Sequence, residues 1–325
     1  MYTVPVVDVG FDPKDRVALG RAGDLMDLAC RENGFLQIVG HGIPEDLLFE
    51  LQDVSTRFFR LDASDKERVR QPEPAQVRGW SPVGSEGISY SLDEESPGDL
   101  KEKMDIGPFG RLRPQAAGGP HFAPNLWPAG IPLMREVWEQ YYLEMERLCR
   151  DLMRMAASGL GLDLSHFDTM IDQPISMLRA LWYPDQPEQP LAGQMRAGVH
   201  SDYGTLTVIA QGDAPGGLEY LDRGGEWFPM PIIPGALVVM VGDILAAWTA
   251  DRWHANLHRV VNPPREQAMC SERLSFAFYH HPNEEVLLAP VARTGTEPVT
   301  PGGWYPTAGE YLRDQYVRQT TFGQY

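Results

Sequence analysis

The feature that most constrains this chain is a set of two histidines and one aspartate suited to a single metal ion. His200 and Asp202 stand two residues apart in a stretch that reads as a β-strand, where alternate side chains point to the same face. His258 opens a later apolar run, HRVV. Two imidazoles and one carboxylate form the facial triad that suits non-haem Fe(II) and leaves positions open for other ligands. The sequence therefore predicts an iron site at His200, Asp202 and His258.

His254 and His258 offer an alternative metal pair. Two histidines four residues apart on a helix are typical of zinc proteases with the pattern HExxH, in which a glutamate follows the first histidine as the general base. Here Ala255 occupies that position, and the flanking residues favour a strand. The sequence therefore favours the triad over a protease site.

Arg273 and Ser275 share one face of a later predicted strand, RLSFAFY, and together suit a carboxylate. Arginine offers a rigid fork of donors, and a lone positive charge entering an apolar sandwich needs an anionic partner. No acidic residue of that strand supplies one. We therefore expect this pair to bind an organic carboxylate. Tyr183 is a further candidate donor, although an ordinary core role for this residue is equally open.

The order of the predicted elements indicates a helical N-terminal region before a mainly β region. The first 70 residues read as a β-α-β-α unit. Residues 71–130 are rich in proline, glycine and turn residues, which favours a long loop that acts as a lid or faces the substrate. A long helix with an apolar stripe is predicted over 133–157. Beyond residue 174, short β-rich runs alternate with turns, which favours a sandwich or barrel, and a last helix is predicted over 307–318.

Charge and cysteine content limit the classes of partner and compartment. The 325-residue chain has a formal net charge of -17, so neither nucleic acid nor anionic membranes are expected partners. Its three cysteines include no CxxC pair, which favours a reducing cytoplasm. We see no signal peptide and no apolar run near the roughly 20 residues that span a bilayer. A cytoplasmic protein is predicted, and the sequence gives no indication of its oligomeric state.

Several segments carry a likeness to one enzyme family. Residues 34–44 are similar to that family's GFFxxxNHGIP segment, residues 200–207 to its HTDxGxLT segment and residues 234–243 to its PGALVVNIGD segment. Residues 257–260 (LHRV) and 273–275 (RLS) complete the set, which covers most of the chain. Each segment alone is a weak signal, but together they are specific. The chain resembles the isopenicillin N synthase-like family of Fe(II)- and 2-oxoglutarate-dependent dioxygenases.

The resemblance implies a mainly β fold with flanking helices: a double-stranded β-helix, or jelly-roll, core with a helical N-terminal region. It implies an N-terminal dioxygenase region, 1–130, and a second region, 131–325, with a long support helix, the jelly roll and a C-terminal helix. It also implies Fe(II) on the triad, O2 as oxidant, and 2-oxoglutarate on Arg273 and Ser275, with Tyr183 as a further contact. Leu181 departs from the family, which often has Asn at that position.

The predicted activity is the oxidation of a small molecule by hydroxylation, desaturation or cyclisation, in specialised-metabolite or antibiotic biosynthesis. The alternative is a 2-oxoglutarate-independent iron oxidase of the isopenicillin N synthase type, because that enzyme uses an Arg-x-Ser pair for its substrate; Gln324 is a weak pointer towards it. A non-catalytic jelly-roll binding protein is disfavoured, since the triad is complete. Candidate substrate residues are Trp80, Tyr90, Arg196, Tyr203, Phe278 and His280.

Overall fold

Two β-sheets form the centre of the protein in the computed structural model, which describes residues 4–92, 94, 96–110, 119–291 and 305–321. The strands are β1 (Val6–Asp8), β2 (Phe35–Val39), β3 (Gly79–Ser81), β4 (Glu102–Ile106), β5 (Met177–Tyr183), β6 (Ala197–His200), β7 (Leu206–Ala210), β8 (Gly217–Leu221), β9 (Trp227–Pro229), β10 (Leu237–Val241), β11 (His258–Val261) and β12 (Arg273–His280). The helices are α1 (Arg16–Glu32), α2 (Glu45–Phe59), α3 (Ala63–Glu67), α4 (Met134–Gly159), α5 (Asp243–Trp248) and α6 (Ala308–Thr321).

The larger sheet has eight strands in the order β1-β2-β10-β7-β12-β5-β4-β3, and the smaller has four in the order β6-β11-β8-β9. Strand β10, with the sequence LVVMV, is buried along its whole length and pairs antiparallel with β2 and β7. A strand buried on both faces reads as a continuous apolar run. The predicted mainly β fold with a jelly-roll core and flanking helices is confirmed.

The N-terminal residues contribute to both edges of the larger sheet. Strands β1 and β2 extend it beyond β10, while β3 and β4 extend it beyond β5. The N-terminal region therefore flanks the jelly roll on two sides within one continuous sheet. The division into 1–130 and 131–325 stays a prediction.

Helix α4 lies against α1, α2 and the larger sheet, and it carries the apolar stripe predicted for it. Trp138, near the start of that stripe, is fully buried and donates its indole N–H to the hydroxyl of Ser55, 3.0 Å away. Asp15 caps helix α1 by accepting from the backbone N–H groups at 17 and 18, while Asp12 accepts from the N–H of Lys14 in the preceding turn.

Two element predictions differ from the structure. Residues 71–130 were expected to form a long loop, yet they contain β3 and β4; β3 pairs with β4, and β4 pairs with β5, which lies far along the chain. Of the β-rich runs expected beyond residue 174, the one at 286–288 forms no strand and only one bridge, between Leu287 and Thr307. Within the described ranges, no helix has the length and apolar character needed to cross a membrane.

Candidate metal centre and cosubstrate pocket

His200 and His258 are direct partners in the antiparallel pairing of β6 with β11, and their ring centroids are 4.1 Å apart. The Nδ1 atom of His200 lies 2.9 Å from the carbonyl oxygen of Gly198, and that of His258 lies 3.0 Å from the carbonyl oxygen of Asn256. A carbonyl oxygen only accepts, so each Nδ1 carries the proton. Each Nε2 therefore keeps a lone pair, as a metal-binding imidazole requires.

Asp202 completes the cluster from a loop, and not from the strand expected for it. Strand β6 ends at His200, and the loop that follows is held where the carbonyl of Asp202 accepts from the N–H of Asp243 at 2.7 Å. The carboxylate oxygens lie 3.9 Å from Nε2 of His200 and 3.8 Å from Nε2 of His258. The three ligand atoms lie within 4.8 Å of one another, and all three side chains are buried.

The donor set fits a divalent metal. The Oδ2 atom of Asp202 is buried with no hydrogen-bond partner among the described residues, which leaves a charged oxygen unsatisfied unless a cation binds. Burial, with the neighbouring charge of His258, holds the pKa of His200 well below its usual value, so this imidazole is neutral. His254, the rival ligand, lies outside the cluster on an irregular segment before β11, so the helical zinc-protease pair does not form.

Arg273 and Ser275 face the triad from β12, on the opposite sheet. The guanidinium of Arg273 donates to the carbonyl oxygen of Gly216 at 2.7 Å, while its buried Nε has no partner among the described residues. A Cβ at Gly217 would lie 2.8 Å from Nη2 of Arg273 and would displace the guanidinium, and the φ of 143° at this position also favours glycine. The hydroxyl oxygen of Ser275 accepts from the N–H of Gly212 at 3.1 Å, which leaves its own proton free for a carboxylate.

Tyr183 lies beside Arg273, since the two are paired in the register of β5 with β12. Burial raises the pKa of Tyr183, so its hydroxyl stays protonated and able to donate. The guanidinium carbon of Arg196 lies over the ring of Tyr183, 5.7 Å from its centroid. The guanidinium of Arg196 donates to the carbonyls of Pro215 and Ser271, at 2.9 and 2.6 Å. Arg196 therefore braces two loops and is not among the residues that line the cavity.

One cavity is lined both by the triad and by Arg273 and Ser275. It contains about 590 Å³ of space between protein atoms, including open solvent at its mouth. Apolar side chains from both sheets form much of its wall, and its ends carry the polar groups described above. The residues that line it are Ile88, Lys101, Arg179, Leu181, Tyr183, Ala197, His200, Asp202, Thr207, Ile209, Gln211, Leu218, His258, Val260, Arg273, Ser275, Ala277 and Tyr279.

Comparisons with known proteins agree with this geometry. Residues 4–130 match the family described as non-haem dioxygenase in morphine synthesis N-terminal, and residues 174–282 match the 2OG-Fe(II) oxygenase superfamily. A homoarginine-6-hydroxylase of Oryza sativa subsp. japonica is 32% identical over 82% of this chain and 79% of its own length. The chain belongs to the 2-oxoglutarate-Fe(II) oxygenase superfamily. The resemblance to the isopenicillin N synthase-like family is confirmed.

Two further known proteins match nearly the full length of this chain. Validamycin A dioxygenase of Streptomyces hygroscopicus subsp. limoneus is 29% identical over 98% of this chain and 87% of its own length. The crystal structure of a full-length Neurospora crassa protein in complex with alpha-KG and thymine superposes with a TM-score of 0.82 at 27% identity, covering 97% of this chain and 96% of that one. The protein is an enzyme that uses Fe(II), 2-oxoglutarate and O2 to oxidise a small molecule.

The predicted substrate residues of the oxygenase are scattered. Trp80 is buried at the sheet edge, where its indole N–H donates to Glu102 at 2.7 Å, and it lines no part of the main cavity. Tyr90, in the 3-10 helix Ile88–Leu92, is only partly buried and is likewise absent from the cavity wall. Tyr203 is buried beside the triad and lines a second, smaller cavity. Of these three, Tyr203 alone adjoins the metal ligands.

Phe278 and His280 point away from the cavity. Along β12 the side chains at 273, 275, 277 and 279 face the cavity, so those at 278 and 280 face the core behind the sheet. The ring of Phe278 packs 5.1 Å from that of Tyr142 on α4. Nδ1 of His280 lies 2.7 Å from the hydroxyl oxygen of Thr205. Both residues therefore support the fold from the rear of the sheet.

Sequence reasoning missed five polar residues of the cavity wall: Lys101, Arg179, Thr207, Gln211 and Tyr279. Lys101 adjoins β4 and Arg179 lies on β5, and both are almost fully buried. The available signal was the two-residue alternation of residues 101–106 (KEKMDI), which places 101, 103 and 105 on one face. Tyr279 shares a face with Ser275 by the same rule, and Arg179 lies 5.5 Å from its ring centroid.

Lys101 and Arg179 belong to a buried charge network that also contains Lys103, Glu86, Asp99 and Asp105. Glu86 lies 3.0 Å from Nζ of Lys101 and 2.6 Å from Nζ of Lys103, and Arg179 donates to Asp105 at 2.6 Å. Burial alone would raise the pKa of Glu86, but the surrounding cations hold it well below its usual value. Three cations thus balance three anions behind one wall of the cavity. Burying charges is costly unless they are paired and hydrogen-bonded.

Proposed function

We propose that His200, Asp202 and His258 bind the catalytic Fe(II), and that Arg273, Ser275 and Tyr183 bind the distal carboxylate of 2-oxoglutarate. The observation that carries this proposal is the placement of the two groups of donors at opposite ends of one cavity. When bound, the metal and cosubstrate would activate O2, so that one oxygen atom enters succinate as 2-oxoglutarate loses CO2 and the other oxidises a substrate C–H bond. The protein's own residues hold and orient the reactants and exclude water from the site.

Each proposed cosubstrate contact has a physical basis in this chain. The guanidinium of Arg273 supplies charge and a fixed direction, since charge-assisted bonds are about twice as strong as neutral ones. Ser275 is already held by the N–H of Gly212, so its hydroxyl proton points elsewhere. Leu181, between Tyr183 and the triad, lends an apolar wall where the cosubstrate's methylene groups would lie. The site therefore suits a diacid with an apolar middle.

Hydroxylation of a specialised metabolite is the proposed outcome. The names of two relatives, validamycin A dioxygenase and homoarginine-6-hydroxylase, support antibiotic or other specialised biosynthesis and support hydroxylation over desaturation or cyclisation. The cytoplasm is the proposed compartment, because Cys30, Cys149 and Cys270 are all free thiols. A net charge of -17 supports a small-molecule substrate over nucleic acid.

Anaerobic titration with Fe(II) and then 2-oxoglutarate tests the site. A saturable visible charge-transfer band is expected, and Arg273→Ala should raise the Kd of 2-oxoglutarate by about 10- to 100-fold, the range for losing a hydrogen bond to a charged group. The matched control is Arg259→Ala on β11, which removes a guanidinium paired with Glu219 of β8. This variant should leave the Kd of 2-oxoglutarate unchanged. Iron binding without a band would favour the 2-oxoglutarate-independent oxidase. Failure to bind iron would refute the triad.

A further inference from the structure

A second chamber adjoins the triad on the side of helix α6. It contains about 290 Å³ of space between protein atoms, including open solvent, and it is continuous with the main cavity because His200 and Asp202 belong to the walls of both. Helix α6 contributes Tyr316 and Gln319 to this space, which we call the α6 chamber. The proposed cosubstrate contacts Arg273, Ser275 and Tyr183 line the main cavity only. The α6 chamber therefore reaches the metal ligands without overlapping the proposed cosubstrate end.

Gln319 presents an unsatisfied amide in this chamber. Its side-chain oxygen accepts from the hydroxyl of Tyr203 at 3.1 Å, and its backbone carbonyl accepts from the N–H of Gly87 at 3.0 Å, so its position is held from two sides. Its Nε2 group is buried with no hydrogen-bond partner among the described residues, and the residue is 1% exposed. Buried donors are almost always satisfied, so this N–H pair calls for an acceptor that the described residues do not supply.

Arg179 supplies a second donor edge, because it lines both the α6 chamber and the main cavity. Its Nε and Nη2 atoms are engaged by the carboxylate of Asp105, at 2.6 and 3.2 Å. Its Nη1 atom lies 3.7 Å from the nearest oxygen of Glu86, beyond hydrogen-bonding distance. The guanidinium is thus held from behind by Asp105 while one of its N–H edges has room for a ligand.

The charges that line these cavities disfavour a cationic substrate. Among the described residues, Asp202 is the sole carboxylate lining either cavity, and it is a proposed metal ligand. The carboxylates of Glu86, Asp99 and Asp105 lie behind the wall, paired with Lys101, Lys103 and Arg179. A substrate ammonium or guanidinium would meet cations and amide donors there. A carbonyl or carboxylate oxygen would meet the groups that pair with it.

We propose that the α6 chamber binds the substrate through a carbonyl or carboxylate oxygen that accepts from Nε2 of Gln319 and from Arg179, and that it rejects cationic amines. The rings of Tyr203, Tyr279 and Tyr316 supply the flat, partly apolar remainder of the wall. The substrate class is therefore a small neutral or anionic molecule with an oxygen acceptor next to an apolar ring or chain. This inference rests on the proposed metal and cosubstrate roles and extends them to the substrate.

Three probes of one size and shape test the preference: benzamide, benzoate and benzylamine, the last a cation at neutral pH. Each is titrated into anaerobic protein loaded with Fe(II) and 2-oxoglutarate, and binding is read from the shift of the charge-transfer band and of the unfolding temperature. Benzamide or benzoate is expected to bind at least about tenfold more tightly than benzylamine, a difference of about 1.4 kcal/mol. Equal or tighter binding of benzylamine overturns the proposal, and so does the absence of a shift with all three probes at millimolar concentration.

Gln319 variants separate recognition from a structural role. Gln319→Leu should weaken benzamide binding about fivefold, as expected for one neutral hydrogen bond. Gln319→Glu keeps the acceptor for Tyr203 but adds a carboxylate, so it should reverse the order and favour benzylamine. Gln52→Glu, the same change at an exposed position of α2, is the matched control and should leave the order unchanged. An unaltered order in a folded Gln319→Glu protein refutes the assignment.

The same experiment distinguishes the two levels of proposal. The charge-transfer band without any probe reports the metal and cosubstrate site, which Gln319 does not touch. If the wild-type protein gives no band, the proposed function fails. If the band forms normally and the probe preference does not depend on Gln319, the substrate inference alone fails.

Discussion

Phe278 and Tyr279 are neighbours on β12, yet their rings lie on opposite faces of the larger sheet. The ring of Phe278 is buried against Tyr142 of α4, with centroids 5.1 Å apart. Tyr279 lines the cavity that contains the metal ligands, with Arg179 5.5 Å from its ring. Strand alternation alone produces this separation. One residue therefore stabilises the fold, while the next one shapes the site.

The pair predicts opposite phenotypes for adjacent substitutions. Phe278→Leu should lower the free energy of unfolding by about 1–2 kcal/mol, because it leaves a gap in a packed core, and should leave the Kd of 2-oxoglutarate unchanged. Tyr279→Leu should cost less stability but change the binding of benzamide or benzoate. Denaturant unfolding and anaerobic titration measure the two effects. Loss of probe binding in Phe278→Leu, with Tyr279→Leu unaffected, would contradict this view of β12.

Removal of the Asp202 carboxylate should abolish iron-dependent turnover. Asp202→Ala takes away one of three ligands, and since loss of groups that merely support metal ligands costs about 10- to 100-fold in affinity, the loss here should exceed that. Metal-free wild-type protein should gain unfolding temperature when Mn(II) is added, because a ligand that binds only the folded state stabilises it. The unfolding temperature of Asp202→Ala should not rise when Mn(II) is added. Asp24→Ala, at an exposed site on α1, is the control; full succinate release by Asp202→Ala would refute the triad.

His280 predicts a loss of stability in acid. Burial lowers its pKa to about 3 from a usual 6.5, so the unfolded chain binds a proton below pH 6.5 that the folded protein does not. The stability that the neutral His280 contributes is therefore fully present above pH 6.5 and decreases as the pH drops towards 3. At pH 5 the free energy of unfolding is lower by about 2 kcal/mol from this group. His280→Asn should flatten the pH dependence of unfolding, measured on metal-free protein. Identical slopes between pH 4 and 6.5 would show that His280 does not contribute.

The buried pair of Lys103 and Glu86 should couple far more strongly than an exposed pair of equal length. Their charged atoms are 2.6 Å apart with both side chains 3% exposed. Lys103→Met should cost about 3–5 kcal/mol, because it leaves a buried charge less compensated, and Glu86→Gln in the same chain should recover part of it. Arg60 and Glu272, also 2.6 Å apart but 63% and 39% exposed, are the control. Their coupling should stay below about 1 kcal/mol, and similar values in the two double-mutant cycles would contradict the argument.

The candidate metal ligands and the candidate carboxylate contacts could be named from the sequence because each lies in a short local pattern. The segments 200–202 (HSD) and 273–275 (RLS) each place two chemically informative side chains within three residues. Runs of β-branched residues nearby indicate strands. The same local reading assigned Asp202 to a strand that in fact ends at His200. The ligand still reaches the site because a backbone bond from Asp243 fixes the loop. That contact joins distant parts of the chain and has no local signature.

The substrate side of the site was not predictable in the same way. Strand β4 looks like loop sequence, since its inner face carries Lys103 and Asp105 where a core strand usually carries apolar residues. Those charges are buried because β5 and residue 86 supply groups of opposite charge. Pairing between residues so far apart in the sequence produces no periodic pattern. Phe278 was a predicted substrate residue because it is aromatic. Its aromatic character was visible, but its position relative to Ser275 places it behind the sheet.

The proposed metal ligands belong mostly to the smaller sheet, whereas the proposed carboxylate contacts belong to the larger one. His200 and His258 lie on β6 and β11, while Tyr183, Arg273 and Ser275 lie on β5 and β12. A cosubstrate that contacts both sets of residues must bridge the gap between the two sheets. The width of that gap therefore determines how long a diacid can bind. Oxo-diacids one carbon shorter or longer would fit at one end only. Core side chains far from the iron, by setting how closely the sheets approach, thereby take part in selecting the five-carbon acid.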